Sequence, residues 1–160
     1  LEDAYHGTTR TIQVGSRRLN VKIPPGARDG TRVRLRNQGE PGYANGPAGD
    51  LDVIVKLREH PTYRRDGDDL HIDLKVPLYT AVLGGSIRVP TLGGQVTLTI
   101  APGTQSGQTI RLREKGMPRL RQSDAYGDLY AHILVQVPQN LSDEENELFA
   151  KLRTLRSESN

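Results

Sequence analysis

Cysteine and tryptophan are missing from this 160-residue sequence, and methionine and phenylalanine occur once each. Without cysteine there can be no disulfide framework, no thiolate zinc site and no cysteine nucleophile, and nothing supports an oxidising compartment. Neither a run of the ~18 apolar residues that a membrane helix needs nor a charged-then-apolar leader is present. The expectation is a soluble, cytoplasmic protein. The first residue is Leu1 rather than Met, so the sequence reads as a piece of something longer. Its seven aromatics, six Tyr and Phe149, suit thin packed layers better than a large enzyme core.

Catalytic and ligand-binding motifs are also lacking. His6, His60, His71 and His132 are scattered, with no HExxH or paired-His spacing, so each reads as a surface or hydrogen-bonded residue and no metal site is expected. Asp66, Asp68 and Asp69 in "RRDGDDL" superficially resemble a calcium loop, but the Gly is misplaced and no Glu closes twelve residues; a turn leading into a strand is the better reading. No Ser sits in a GxSxG elbow, and Ser86 follows two glycines with no partner placed by motif. GxxxxGK[ST] and a helix-opening GxGxxG are both missing, so no nucleotide is cradled. The sequence calls for neither an enzyme nor a cofactor.

What is present is a duplication. "IPPGARDGTRVRLRNQG" at 23–39 returns as "IAPGTQSGQTIRLREKG" at 100–116, an offset of 77 that maps Pro25, Gly26, Gly30, Arg34, Leu35, Arg36 and Gly39 onto Pro102, Gly103, Gly107, Arg111, Leu112, Arg113 and Gly116. The offset extends to Leu1, Ala4 and Gly7 against Leu78, Ala81 and Gly84, and to Pro41 and Pro61 against Pro118 and Pro138. With a slip of one residue, Gly49, Asp50 and Leu51 answer to Gly127, Asp128 and Leu129. Two such units are too few and too long for a solenoid, which needs at least ~3 shorter ones. They read as tandem domains, each small enough that its core must be thin.

Apolar residues recur with period two: Leu19, Val21 and Ile23; Val33 and Leu35; Leu51, Val53, Val55 and Leu57; Leu70, Ile72, Leu74 and Val76. The second half does the same at Val96, Leu98 and Ile100, at Ile110 and Leu112, and from Leu129 to Val137. Half-buried strands follow from that alternation, and clusters such as "GEPGYANGPAG" and "PTLGGQ" turn the chain between them. "LYTAVLGG" allows one short helical turn. The expected class is all-β, two small antiparallel β-sandwich domains, plus a C-terminal amphipathic helix. In "NLSDEENELFAKLRTL", Ser142 is the N-cap and Glu145 its capping-box partner, and Leu148, Leu152 and Leu155, with Phe149 beside them, form a stripe at helical spacing. That stripe either covers its own domain or joins two chains.

Net charge is only +3, yet 17 of the 22 basic residues are Arg, which favours forked contacts with carboxylate or phosphate. Arg32, Arg34 and Arg36, and again Arg111 and Arg113, line one face of a strand. Pairing with Asp and Glu is one reading. The alternative is a basic β-domain that binds single-stranded nucleic acid, although such a platform would interleave stacking aromatics and none occurs there.

"HPTYRRDGDDLHIDLKVPLYTAVLGG" at 60–85, followed by "GGQVTLTIAPGTQSGQTIRLREKGMP" and "GDLYAHILVQVP", closely resembles the carboxy-terminal half of DnaJ-family (J-domain) co-chaperones, and the resemblance covers essentially the whole chain. It implies two tandem peptide-binding β-sandwich domains and a dimerisation helix, here residues 1–76, 77–138 and 139–160. A zinc insert, a J-domain and a Gly/Phe linker are not in this sequence, which therefore resembles the class without zinc. The implied function is to hold extended apolar segments of unfolded polypeptides and deliver them to a DnaK-type chaperone. The resemblance implies a client groove at Ile12, Val14 and Val53, partner acidic-tail binding at Arg10, Arg17 and Arg18, and a homodimer through Leu148, Phe149, Leu152 and Leu155. The expected partners are thus non-native polypeptides, a DnaK-type chaperone and a second copy, with no membrane.

Overall fold

The computed structural model describes residues 1–42, 46–122 and 124–159. Residues 43–45 of the expected "GEPGYANGPAG" turn lie outside them. The chain is all-β with a C-terminal helix. Its elements are α1 (Glu2–His6), β1 (Thr8–Val14), β2 (Arg17–Ile23), β3 (Arg32–Leu35), β4 (Leu51–Ile54), β5 (Tyr63–Asp66), β6 (Asp69–Pro77), α2 (Leu78–Leu83), β7 (Gly85–Thr91), β8 (Gly94–Ile100), β9 (Thr109–Leu112), β10 (Leu129–Gln136) and α3 (Asp143–Glu158). The duplication is visible in their order: α1 to β4 repeats as α2 to β10.

In the second copy the alternating residues find partners on both sides. A four-stranded sheet runs β5-β6-β10-β9, and β7 and β8 form a hairpin beside it. Leu70, Ile72, Leu74 and Val76 of β6 are 0–6% exposed, and Leu129, Ala131 and Ile133 of β10 are fully covered. Each large aliphatic side chain withdrawn this completely contributes roughly 1.5–3 kcal/mol of transfer free energy. Val89, Ile100 and Met117 close the same core.

The expectation of purely antiparallel sheets is corrected here. β6 and β10 are parallel, Leu70 opposite Leu129 through Pro77 opposite Gln136. Parallel neighbours need a long crossover, and α2, β7, β8 and β9 supply it. β5 and all of β6 but its last residue lie before residue 77, yet β6 pairs with the second copy's β10 and carries β5 on its other side. Two local expectations hold: "LYTAVL" forms the short helix α2, closed by Gly84, and the "RRDGDDL" segment is a tight turn between β5 and β6.

The first copy is built from two separate hairpins, β1–β2 and β3–β4, which touch along β2 and β3. A junction of main chain and arginine ties it to the second copy. The Arg65 guanidinium is almost covered, and it donates to Ala27 O at 2.7 Å and to Gly26 O at 3.1 Å. Burial lowers its pKa below the ordinary guanidinium value, against the opposing pull of Asp68. Arg28 donates to Asp68 at 2.8 Å across the same junction. Tyr5 of α1 packs its ring against Tyr126, with centroids 6.1 Å apart.

Candidate functional site

β1 carries Arg10, Ile12 and Val14 at alternate positions, so all three point to one face. Register extends that face across the hairpin, since Val14 lies opposite Arg17, Ile12 opposite Leu19, and Arg10 opposite Val21. The result is an apolar strip of Ile12, Val14, Leu19, Val21 and Ile23, with Arg10 in its length and Arg17 at the turn end. Ile12 and Val14 are half-buried. Val53 is also half-buried but stands on β4, opposite Val33, in the other hairpin.

Main-chain bonding gives β1 its second property. Two-residue turns at Gly15–Ser16 and Leu92–Gly93 close β1–β2 and β7–β8, and the residues flanking such turns bond to each other. Residues 10, 12 and 14 therefore bond inward to β2, while the N–H and C=O groups of Thr9, Thr11 and Gln13 face outward. The corresponding outward positions of β7 are Ser86, Arg88 and Pro90, and proline has no N–H to offer. The edge of β1 has a complete set of donors; the edge of its counterpart is interrupted.

The three expected tail-binding arginines are not one cluster. Arg10 is bonded to Asp3 of α1. Arg17 donates to Gln38 O at 3.2 Å and to Gln38 Oε1 at 3.4 Å. Arg18 lies opposite Gln13 and so on the other face of the hairpin from Arg10 and Arg17. Three of the five alternating arginines pair with carboxylates: Arg34 Nε donates to Asp52 at 3.0 Å, Arg32 lies 3.5 Å from the same carboxyl, and Arg111 Nε donates to Asp128 at 2.6 Å. Hydrogen bonding to Arg34 holds the Asp52 carboxyl below the usual range. For Asp128 the Glu114 N–H contributes most to the same direction, with Arg111 adding to it.

On α3, the capping box forms as the sequence predicts, Glu145 N–H donating to Ser142 Oγ at 3.1 Å and Ser142 N–H to Glu145 Oε1 at 3.2 Å. Leu148, Leu152 and Leu155 are 57%, 56% and 52% exposed. Only Phe149 is drawn inward, its ring 6.2 Å from that of Tyr79 on α2. The stripe is thus left uncovered by its own domain.

One grouping escapes the sequence. His71 Nδ1 and His132 Nε2 are 3.0 Å apart, and His132 Nδ1 lies 2.9 Å from Thr109 Oγ1. The only signal is register, which sets β6 beside β10 and places 71 and 132 diagonally. Among the described residues no three His, Cys, Asp or Glu side chains are grouped to hold a metal ion. Nor, among the described residues, is any helix long and apolar enough to cross a membrane.

Comparison with known proteins agrees with this architecture. Residues 1–138 match the DnaJ C terminal domain family. The chain is 52% identical over 130 residues to the chaperone protein DnaJ of Burkholderia thailandensis, covering 81% of this chain and 34% of that one. It is 49% identical over 136 residues to that of Bordetella petrii, covering 85% and 36%, and 46% identical over 140 residues to that of a Janthinobacterium strain, covering 88% and 37%. The chain spans about a third of the length of these curated relatives. With the duplicated β-domains and matches of this extent, the chain belongs to the DnaJ C-terminal domain family of chaperones.

Proposed function

We propose that this chain is the client-holding part of a co-chaperone, binding extended apolar segments of unfolded proteins for transfer to a DnaK-type chaperone. It acts by association rather than catalysis. The observation that carries the reading is the contrast between β1 and β7. A non-native segment can add to the complete edge of β1 through main-chain hydrogen bonds, while Ile12 and Val14 offer shallow apolar contact to its side chains. Pro90 interrupts the same edge in the second copy, a common way of blunting an exposed strand. Main-chain recognition is indifferent to sequence, as a general client holder requires. Val53 belongs to the same proposed groove.

Arg10 within the apolar strip and Arg17 at its turn end suit an acidic tail of the partner chaperone through charge-assisted hydrogen bonds, with Arg18 adding charge from the opposite face. The stripe of Leu148, Leu152 and Leu155, with Phe149, is proposed to pair two chains. Relatives named as chaperones support the reading.

A titration of a fluorescent, permanently unfolded polypeptide tests it. Ile12→Asp places a charge where a client side chain must lose its water, and binding should fall by about 100-fold or more for a few kcal/mol of unrelieved desolvation. Circular dichroism should show the fold retained, since Ile12 is only half-buried. Full affinity in the folded variant contradicts the assignment.

A further inference from the structure

The outer face of the four-stranded sheet carries the two histidines that the parallel pairing brings together. Because Leu70, Ile72, Leu74, Ala131 and Ile133 fill the core, alternation turns His71 and Asp73 of β6, and Tyr130 and His132 of β10, to the other side. Register sets Tyr130 beside His71 and His132 beside Asp73. Arg64 of β5 lies opposite His71, and Thr109 of β9 opposite His132. His71, Tyr130 and His132 are half-buried.

His71 Nδ1 and His132 Nε2 meet at 3.0 Å, with the ring planes only 5° apart. A single proton joins them, one nitrogen donating and the other accepting. On its far side, His132 Nδ1 lies 2.9 Å from Thr109 Oγ1. An Nδ1–H of His132 donating to that hydroxyl leaves Nε2 with its lone pair directed at His71, and an outer hydrogen bond of this kind is what orients a metal-bound imidazole. Tyr130 stacks along His71, centroids 5.2 Å apart and planes at 18°, and walls that ring on one side. Neither histidine belongs to the buried core, and the client reading uses neither.

We propose that His71 and His132 chelate a divalent transition-metal ion, Cu(II) most tightly and Ni(II) and Zn(II) less so, with His71 Nδ1 and His132 Nε2 as the two protein ligands and water at the remaining positions. Two nitrogens bound to one ion at about 2.0 Å, at about 90–110° to each other, stand about 2.8–3.3 Å apart. The observed 3.0 Å falls within that span. The ion takes the place of the shared proton: His71 carries its hydrogen on Nε2 instead of Nδ1, and both rings tip out of line so that their lone pairs converge. Imidazole nitrogen suits these ions and not Mg(II) or Ca(II), which take oxygen ligands. Asp73, the register partner of His132 and 3.7 Å from Arg64, places a negative charge on the same face. Once bound, the ion links β6 to β10 across the parallel pairing.

The test is a titration of the isotope-labelled chain with Cu(II), Ni(II), Zn(II) and Mg(II) salts, each alone in a non-chelating buffer, followed by calorimetry, thermal unfolding and amide NMR. Expected are saturable binding of the three transition metals, a raised melting temperature with each, and signal changes centred on His71, Tyr130 and His132, with no response to Mg(II). His71→Gln and His132→Gln should each stay folded, since neither residue lies in the core, and each should weaken binding at least about tenfold, a loss of ~1.4 kcal/mol, because a chelate needs both rings. His6→Gln, at an exposed histidine outside the pair, should leave the affinity unchanged. Binding by either single-histidine variant as tight as the parent's would show that separate surface imidazoles take the ion, and would overturn the proposal. Signal changes centred on Leu1, His6 or His60 in the parent would overturn it as well, and this readout decides independently of how any variant folds. No saturable response up to about 1 mM ion would reduce the pair to a hydrogen bond between strands, and the proposal would fall.

Discussion

Gly26 and Gly103 occupy the same place in the two copies, with φ of 82° and 79°. Both adopt a backbone that a side chain strains. They differ in their surroundings: a Cβ on Gly26 would lie 2.4 Å from Pro118 O and 2.7 Å from Leu120 N, whereas Gly103 has nothing within 4 Å. Gly103→Ala should therefore cost only the conformational strain, about 1 kcal/mol, and Gly26→Ala roughly 2–3 kcal/mol more because the junction between copies must open. Urea unfolding of both variants measures the difference; equal losses would mean that the junction contributes little. The paired carboxylates make a second prediction. Asp128 is depressed when folded, so the stability it confers is fully present above its unfolded value near ~3.9 and is lost as pH falls through the lower folded one. Asp128→Asn should be less stable at neutral pH and show a shallower fall in stability as pH drops below about 4. An acid limb identical to the parent's would contradict this.

At the level of elements, what was legible was local. The capping box of Ser142 and Glu145 spans three residues, and α3 begins where those residues dictate. The period-two runs of Leu70 to Val76 and Leu129 to Val135 needed only their own alternation. Partnership was not legible. Nothing in "LHIDLKV" or "LYAHILV" says that the two segments run side by side in the same direction, because that depends on the length of crossover between them. The approach of His71 to His132 was hidden for the same reason. Within the candidate site, the apolar face of Ile12 and Val14 was readable, but the separation of Arg18 from Arg10 and Arg17 follows only from the hairpin register. α3 carries its own prediction: Leu148→Glu with Leu152→Glu should leave the second copy folded, since both side chains are exposed, and convert a twofold dimer to a monomer. Sedimentation decides; a parent that is already monomeric at high concentration would contradict pairing of two chains through the stripe.

For the whole molecule, the duplication has produced two copies that differ in how completely they are packed. The second is filled and sealed, with β6 in its core and Pro90 at its edge. The first carries the uninterrupted edge of β1, with half-buried Ile12 and Val14 on that strand. Arg65, Arg28 and Tyr5 hold the copies together, so the open unit is mounted on a closed one. If α3 pairs two chains, two such open units can grip one unfolded polypeptide, and effective concentration would raise apparent affinity by about 100-fold or more over a monomer. The central claim is that the edge of β1 holds the client. Its most direct test exchanges the edge residues of the two copies, Gln13→Pro in one variant and Pro90→Gln in the other, with unfolded-polypeptide affinity measured by fluorescence anisotropy on chains shown by circular dichroism to be folded. The account predicts that Gln13→Pro loses about tenfold in affinity, from the one main-chain hydrogen bond that its missing N–H would have donated, while Pro90→Gln loses none. Undiminished client binding in a folded Gln13→Pro chain would contradict it.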